Sequence, residues 1–230
     1  MKKVRESNIE LLRVLSMFMI VFSHVIWEGN FTYPRNVAMH NVVTQIPWLF
    51  GQIGVIAFTL ISAYFLSKSS KVKINGILNI GKVTWSWSII ILISAWVFRK
   101  NLDVLNLKLT IKSIFPILMG TYWYVTAYIA LYLIFPYLNI VINKLDKSEY
   151  NKFLLVLIVI FSIVPTFTGA SSLNSTNAAS SVFSLIVVYF IGGYIRKYED
   201  DIKVPIRRLI VIFSIIPVFI DNNIDIIKLC

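Results

Sequence analysis

The sequence predicts an all-α, polytopic membrane helix bundle of about seven transmembrane spans with its N-terminus in the cytoplasm. Three observations carry that expectation. Of the 230 residues, 57% are hydrophobic and only 14% charged, and the mean hydropathy is +0.76. A soluble domain carries about 25% charged residues, and so few charges cannot cover so apolar a surface in water. The 22 Lys and Arg against 11 Asp and Glu are also unevenly placed: with the N-terminus inside, 16 fall on the cytoplasmic side and 6 outside. That asymmetry sets the orientation and accounts for most of the net charge of +11, leaving little for nucleic acid. The single cysteine, Cys230, rules out a disulfide scaffold.

A span needs about 20 mostly apolar residues. Taken in order, the candidates are 9–27, 46–66, 83–98, 122–142, 153–168, 182–195 and 209–220, and all of 1–230 reads as one membrane-embedded domain. Ser7 and Glu10 fit a capping box that starts the first helix at about Asn8. Glu10 and Arg13 interrupt the early apolar run, so this helix reads as retained rather than as a signal peptide. Between the third and fourth spans, the stretch 99–121 is apolar in patches and broken by Pro116 and Gly120, which suits an interfacial or re-entrant segment. The stretch 171–180 is a polar outer loop. Trp27, Trp48, Trp85, Trp87, Trp96, Tyr122, Trp123 and Tyr124 lie near span ends, as an aromatic belt would.

The first helix carries the chemistry. His24 follows Arg13 by 11 residues. At 100° per residue the two side chains leave the helix about 20° apart and about 16 Å apart along the axis. Intramembrane ionisable residues are costly and by default face a bundle interior or wet cavity. Plainer readings exist for each alone: Arg13 snorkels and pairs with Glu10 at i,i+3, and the outer interface wets His24. Glu28, four residues after His24, either orients the imidazole or marks the helix exit.

Other patterns are set aside. Gly76 to Val83 imitates a P-loop but has Val83 where Ser or Thr is required. No H-E-x-x-H, C-x-x-C or G-x-S-x-G occurs, so no metal is expected. His40 reads as a solvated outer residue, and the sequons at Asn30 and Asn174 matter only where a glycosylating pathway meets them.

The run Asn8-Ile9-Glu10-Leu11-Leu12-Arg13 with Ser23-His24, an R-x10-H signature, resembles the opening helix of the acyltransferase-3 family. Gly54 to Leu66, Gly120 to Asn139 and Gly192 to Tyr198 resemble later helices of that family in the same order. The resemblance implies an integral enzyme of the cytoplasmic membrane that moves an acetyl or other acyl group from cytoplasmic acyl-CoA to a hydroxyl of an extracytoplasmic or cell-surface polysaccharide. It implies His24 as catalytic base and Arg13 as its companion, with Glu10 and Glu28 in support. A histidine can accept the hydroxyl proton, and an arginine can hold phosphate or polar donor groups through its fork. Acetyl-CoA is then the co-substrate, and lipid bilayer, acyl-CoA and glycan acceptor are the partners.

Two departures from the family pattern stand out. Lys71, Lys73 and Lys82 occupy the region where the family has paired arginines; they either attract donor phosphate as point charges or form a plain positive-inside loop. The family core has more helices than seven, which implies a chain shortened at its C-terminus. Tyr122, Trp123 and Tyr124 suit stacking on an acceptor sugar at the outer mouth as well as belt anchoring. The alternative function is a non-enzymatic membrane protein, either a transporter-like bundle or an inactive shortened member.

Overall fold

The computed structural model describes residues 7–29, 37–98, 107–163 and 182–201. Every regular element among them is helical: α1 (Ser7–Glu28), α2 (Val37–Leu66), α3 (Ile74–Phe98), α4 (Leu107–Ile114), α5 (Trp123–Lys144), α6 (Lys147–Ile158) running on into a π-helical turn (Val159–Ile163), and α7 (Val182–Lys197), followed by a 3-10 turn (Glu199–Asp201). Four of these, α1, α2, α3 and α5, are long and apolar enough to cross a membrane. They correspond to the first four predicted spans. Helix α7 has 16 residues, about 24 Å of rise, and α6 with its π turn ends at Ile163 within the described residues. The seventh predicted span at 209–220, the loop at 171–180, both sequons and Cys230 lie outside the described residues.

Two helices begin earlier than the sequence suggests. Helix α2 starts at Val37 rather than 46, although His40, Asn41, Gln45 and Pro47 dilute its apolar pattern. Helix α3 starts at Ile74 rather than 83, because Ile74, Ile77, Leu78 and Ile80 continue the apolar run across Asn75 and Asn79. The P-loop imitation at Gly76 to Val83 is therefore continuous helix, which confirms its dismissal. At α6 the chain uses a complete capping box: the Asp146 carboxylate accepts from the Glu149 N–H, and Glu149 accepts from the Asp146 N–H.

Helix α7 is the centre of the bundle. Leu185, Val188, Tyr189, Phe190, Ile191 and Ile195 are buried around its circumference, as expected of a helix that is hydrophobic all round. It packs on α2, α5 and α6. At Gly192 a side chain would meet the Ala63 methyl at 2.6 Å, so α2 and α7 touch almost backbone to backbone. Helices α1 and α3 are peripheral, with Leu11, Val14, Phe18 and Val25 on α1 and Trp87, Ile91 and Trp96 on α3 exposed. In a bilayer this surface faces lipid; in water it would aggregate.

One buried asparagine fastens the end of α2 to this centre. The Asn139 amide donates to the carbonyls of Leu66 (3.0 Å) and Ser69 (2.8 Å), and its oxygen accepts from the Tyr189 hydroxyl (2.7 Å). Both amide hydrogens and the amide oxygen are thus engaged. Replacing Asn139 with alanine takes the side-chain partner from the Ser69 carbonyl and the Tyr189 hydroxyl, leaves the Leu66 carbonyl only its bond from the Ser69 N–H, and lowers unfolding free energy by about 2 kcal/mol in a denaturant titration of the detergent-solubilised protein. A loss below about 0.3 kcal/mol contradicts the clamp.

The stretch after α3 folds back along that helix. The Trp85 indole N–H donates to the Ile114 carbonyl (3.1 Å) and the Ser88 hydroxyl to the Ser113 carbonyl (2.9 Å), while Thr126 donates to the Ile117 carbonyl (2.8 Å). Trp85 lies 11 residues into α3, about 16 Å from its start, so α4 and the turn after it dock against the middle of α3 rather than its end. Side chains satisfy the carbonyls that α4 leaves open, as broken backbone requires at membrane depth. Trp85 therefore ties two segments together, a role other than the belt position expected for it.

Candidate active site

The position of α1 is set by small residues. Ile9, Ser16 and Ser23 form its buried stripe, seven residues apart, and this stripe lies along α2. A Cβ on Gly54 would stand 2.7 Å from the Ser16 carbonyl oxygen, and one on Gly51 would stand 2.4 Å from the Ser23 hydroxyl. The glycines thus seat α1 directly against α2, and the Ser16 hydroxyl is satisfied within α1 by the Leu12 carbonyl (2.7 Å). Arg13 and His24 leave the helix about 60° and about 80° round from Ser16. Both flank the α2 contact on the same side.

Arg13 is partly buried. Its guanidinium donates to Glu10 (3.2 Å) and lies 6.0 Å from the centre of the Phe65 ring. The i,i+3 pair expected from sequence is present, and the aromatic face comes from the last turn of α2. Tyr128 of α5 lies beside Ser62 and within electrostatic range of the same guanidinium. Arg13 therefore stands at the edge of the α1–α2 contact, on the side towards Tyr128 of α5.

His24 is exposed, and its Nδ1 lies 2.9 Å from the Ile20 carbonyl oxygen. A carbonyl can only accept. Nδ1 is therefore the donor in this contact, and in the neutral imidazole the lone pair then falls on Nε2. The side chain of Glu28, the orienting group expected from sequence, lies outside the described residues, as does that of His40.

The three lysines are not gathered. Lys71 and Lys73 are exposed on the connector before α3, and Lys82 is exposed on the helix itself, about 12 Å from its start. The aromatic trio at the head of α5 also divides. Tyr122 and Trp123 are partly buried, whereas Tyr124 turns inward: its hydroxyl is 3.2 Å from Thr59 Oγ1 and its ring meets Phe58 edge-on at 6.1 Å. Tyr124 belongs to the α2–α5 contact rather than to a free outer surface.

Sequence reasoning missed two groups. Tyr124, Tyr128 and Tyr132 stack in a file on α5, with ring centres 6.0 and 6.2 Å apart. Their i, i+4, i+8 spacing was a readable signal. The second group is Arg196, Tyr64 and Glu199. Arg196 donates to both Tyr64 and Glu199, and the Tyr64 hydroxyl donates to Glu199 (2.7 Å). Next to it, Lys197 donates to the carbonyls of Ile142 (2.7 Å) and Leu145 (2.7 Å), closing the C-terminal end of α5. Arg196 and Lys197 look like topological charges in the sequence, and the structure gives each a bracing role besides. Among the described residues, no group of three or more His, Cys, Asp or Glu converges as a metal would need.

No curated protein and no solved structure matches the chain. A family model described as an acyltransferase domain, that of acyltransferase-3, matches residues 6–220, which include α1 with Arg13 and His24 and every other described helix. With nearly its whole length matched, this helical membrane bundle belongs to the acyltransferase-3 family and is a membrane acyltransferase.

Proposed function

We propose that the protein transfers an acetyl group from cytoplasmic acetyl-CoA to a hydroxyl of an extracytoplasmic or cell-surface polysaccharide, with His24 as general base and Arg13 as the donor's polar anchor. The observation that carries this reading is the His24–Ile20 contact on a helix that also presents Arg13 on the same flank. In the neutral imidazole that contact puts the lone pair on Nε2, where a base needs it.

The chemistry runs as an acyl transfer. The acceptor oxygen attacks the thioester carbonyl while His24 Nε2 takes its proton. The tetrahedral intermediate collapses, the C–S bond breaks, and the departing thiolate receives that proton from the imidazolium. The Ile20 carbonyl stabilises the imidazolium that forms in between. Arg13, about 16 Å nearer the cytoplasmic end, offers its fork to phosphate or amide oxygens of the donor. Glu10 holds the guanidinium in place without enclosing it, because both side chains remain partly exposed. A donor extended along this flank bridges the two ends of α1, so a cytoplasmic thioester meets an outside hydroxyl within a cytoplasmic-membrane enzyme.

The test is expression of the chain in a strain lacking other acetylases, with O-acetyl groups on the surface polysaccharide counted by NMR. New O-acetyl signal that depends on the expressed chain is the expected result. A polysaccharide indistinguishable from that of the empty strain, with the protein present in the membrane, refutes the reading.

A further inference from the structure

The tyrosine file on α5 has no part in the reaction described so far. Its three hydroxyl-bearing rings run for about 12 Å along the helix. At one end the Tyr132 hydroxyl reaches the first turn of α3, where a Cβ on Gly76 would meet it at 3.7 Å, three residues after Lys73. In the middle Tyr128 lies beside Ser62 and in range of Arg13. At the other end Tyr124 bonds with Thr59 (3.2 Å). The file therefore runs from the basic α2–α3 connector, which carries Lys68, Lys71 and Lys73, towards the arginine on α1.

Packing alone does not call for this composition. Phenylalanine at these positions would bury as much apolar surface, and a hydroxyl in a hydrocarbon setting costs free energy unless it has a partner. Helix α2 answers the file with Thr59 and Ser62, both buried, so the α2–α5 contact is lined with hydroxyls along one edge. A tyrosine presents an apolar body and a polar tip. That suits a linear chain of methylenes interrupted by amides, with cations at one end for phosphates.

We propose that Tyr132 and Tyr128, along the edge that Ser62 borders, bind the amide-bearing arm of the thioester donor between the α2–α3 connector and Arg13, with Tyr124 closing the far end of the file through its bond to Thr59. The rings cover the methylenes, and the hydroxyls exchange hydrogen bonds with the amides. The lysines of the connector attract the phosphates at the near end. This assignment rests on the acyl-CoA reading above and adds the residues that recognise the arm.

The experiment compares two probes on the full chain in lipid nanodiscs: acetyl-CoA, and adenosine 3′,5′-bisphosphate, which carries phosphates but no arm. Tyr128→Phe keeps the ring and removes the hydroxyl. It weakens acetyl-CoA binding about tenfold and leaves the bisphosphate within twofold of wild type. Tyr132→Phe, nearer the connector, gives the same split and serves where Tyr128→Phe does not insert. If both variants bind acetyl-CoA as wild type does, or lose both probes equally, the tyrosines are structural and the proposal falls while the acyl-CoA reading stands. If the wild-type protein binds neither probe, the acyl-CoA reading falls and takes the proposal with it.

Discussion

Replacing His24 with alanine lowers acyl transfer by about 10²–10⁴-fold, the range that a positioned general base contributes, while membrane insertion and thermal stability stay near wild type. The stability half follows from position. His24 is exposed, and its one described hydrogen bond goes to a carbonyl in its own helix, so alanine leaves no buried group unpaired. The activity half follows from the free Nε2. His24→Gln distinguishes a base from a mere hydrogen-bonding group, because a glutamine amide can donate to the Ile20 carbonyl but cannot take a proton; it falls as far as alanine. Arg13→Ala loses transfer by about 10²-fold, and Arg13→Lys recovers little of it, because an ammonium keeps the charge and loses the fork. Quantitative assay of O-acetyl release, normalised to protein in the membrane, decides each case. Activity within threefold of wild type for His24→Ala removes this residue from the reaction.

Much of this was legible in the sequence, and the parts that were not share a cause. The phase relation between Arg13 and His24 depends only on helix geometry, which spacing determines, so it could be read before any fold was known. The family order of motifs likewise survives in linear text. The start of α2 was hidden because His40, Asn41, Gln45 and Pro47 look like loop residues, and tertiary context overrides such local preferences. Nearness to span ends suggests an interfacial belt for Trp85 and Tyr124. Their actual partners, the Ile114 carbonyl and Thr59, lie 29 and 65 residues away. In the sequence Asn139 is only the last letter of a family motif, yet it holds α2, α5 and α7 together through groups up to 73 residues distant. Periodicity reports which face of a helix is apolar; it does not report which neighbour that face meets.

The same limit applies to the glycines, and matched substitutions expose it. Gly54→Ala lowers acyl transfer by about 10- to 100-fold, whereas Gly81→Ala leaves it within twofold. Both place one methyl group on a membrane helix and gain similar intrinsic helix propensity. At Gly81 the nearest atom, a methyl of Ile117, would stand 3.7 Å from the new carbon, an ordinary contact. At Gly54 the new carbon would stand 2.7 Å from the Ser16 carbonyl oxygen and 2.9 Å from Ile20, so α1 must move away from α2. That displacement is carried directly to Arg13 and His24, which flank this contact, and a shift of about 1 Å at reacting groups can cost 10²-fold. The neighbouring pair supplies the control. At Gly51 the obstructing atoms are the Ser23 Oγ and Cβ, at 2.4 and 2.6 Å, and both belong to a side chain. Gly51→Ala is therefore rescued by Ser23→Gly, while Gly54→Ala is not rescued by Ser16→Gly, because the obstructing oxygen there is backbone. Activity and thermal stability of the four variants, measured together, separate a close helix approach from a general intolerance of these positions. Equal rescue at both sites contradicts the backbone contact between α1 and α2.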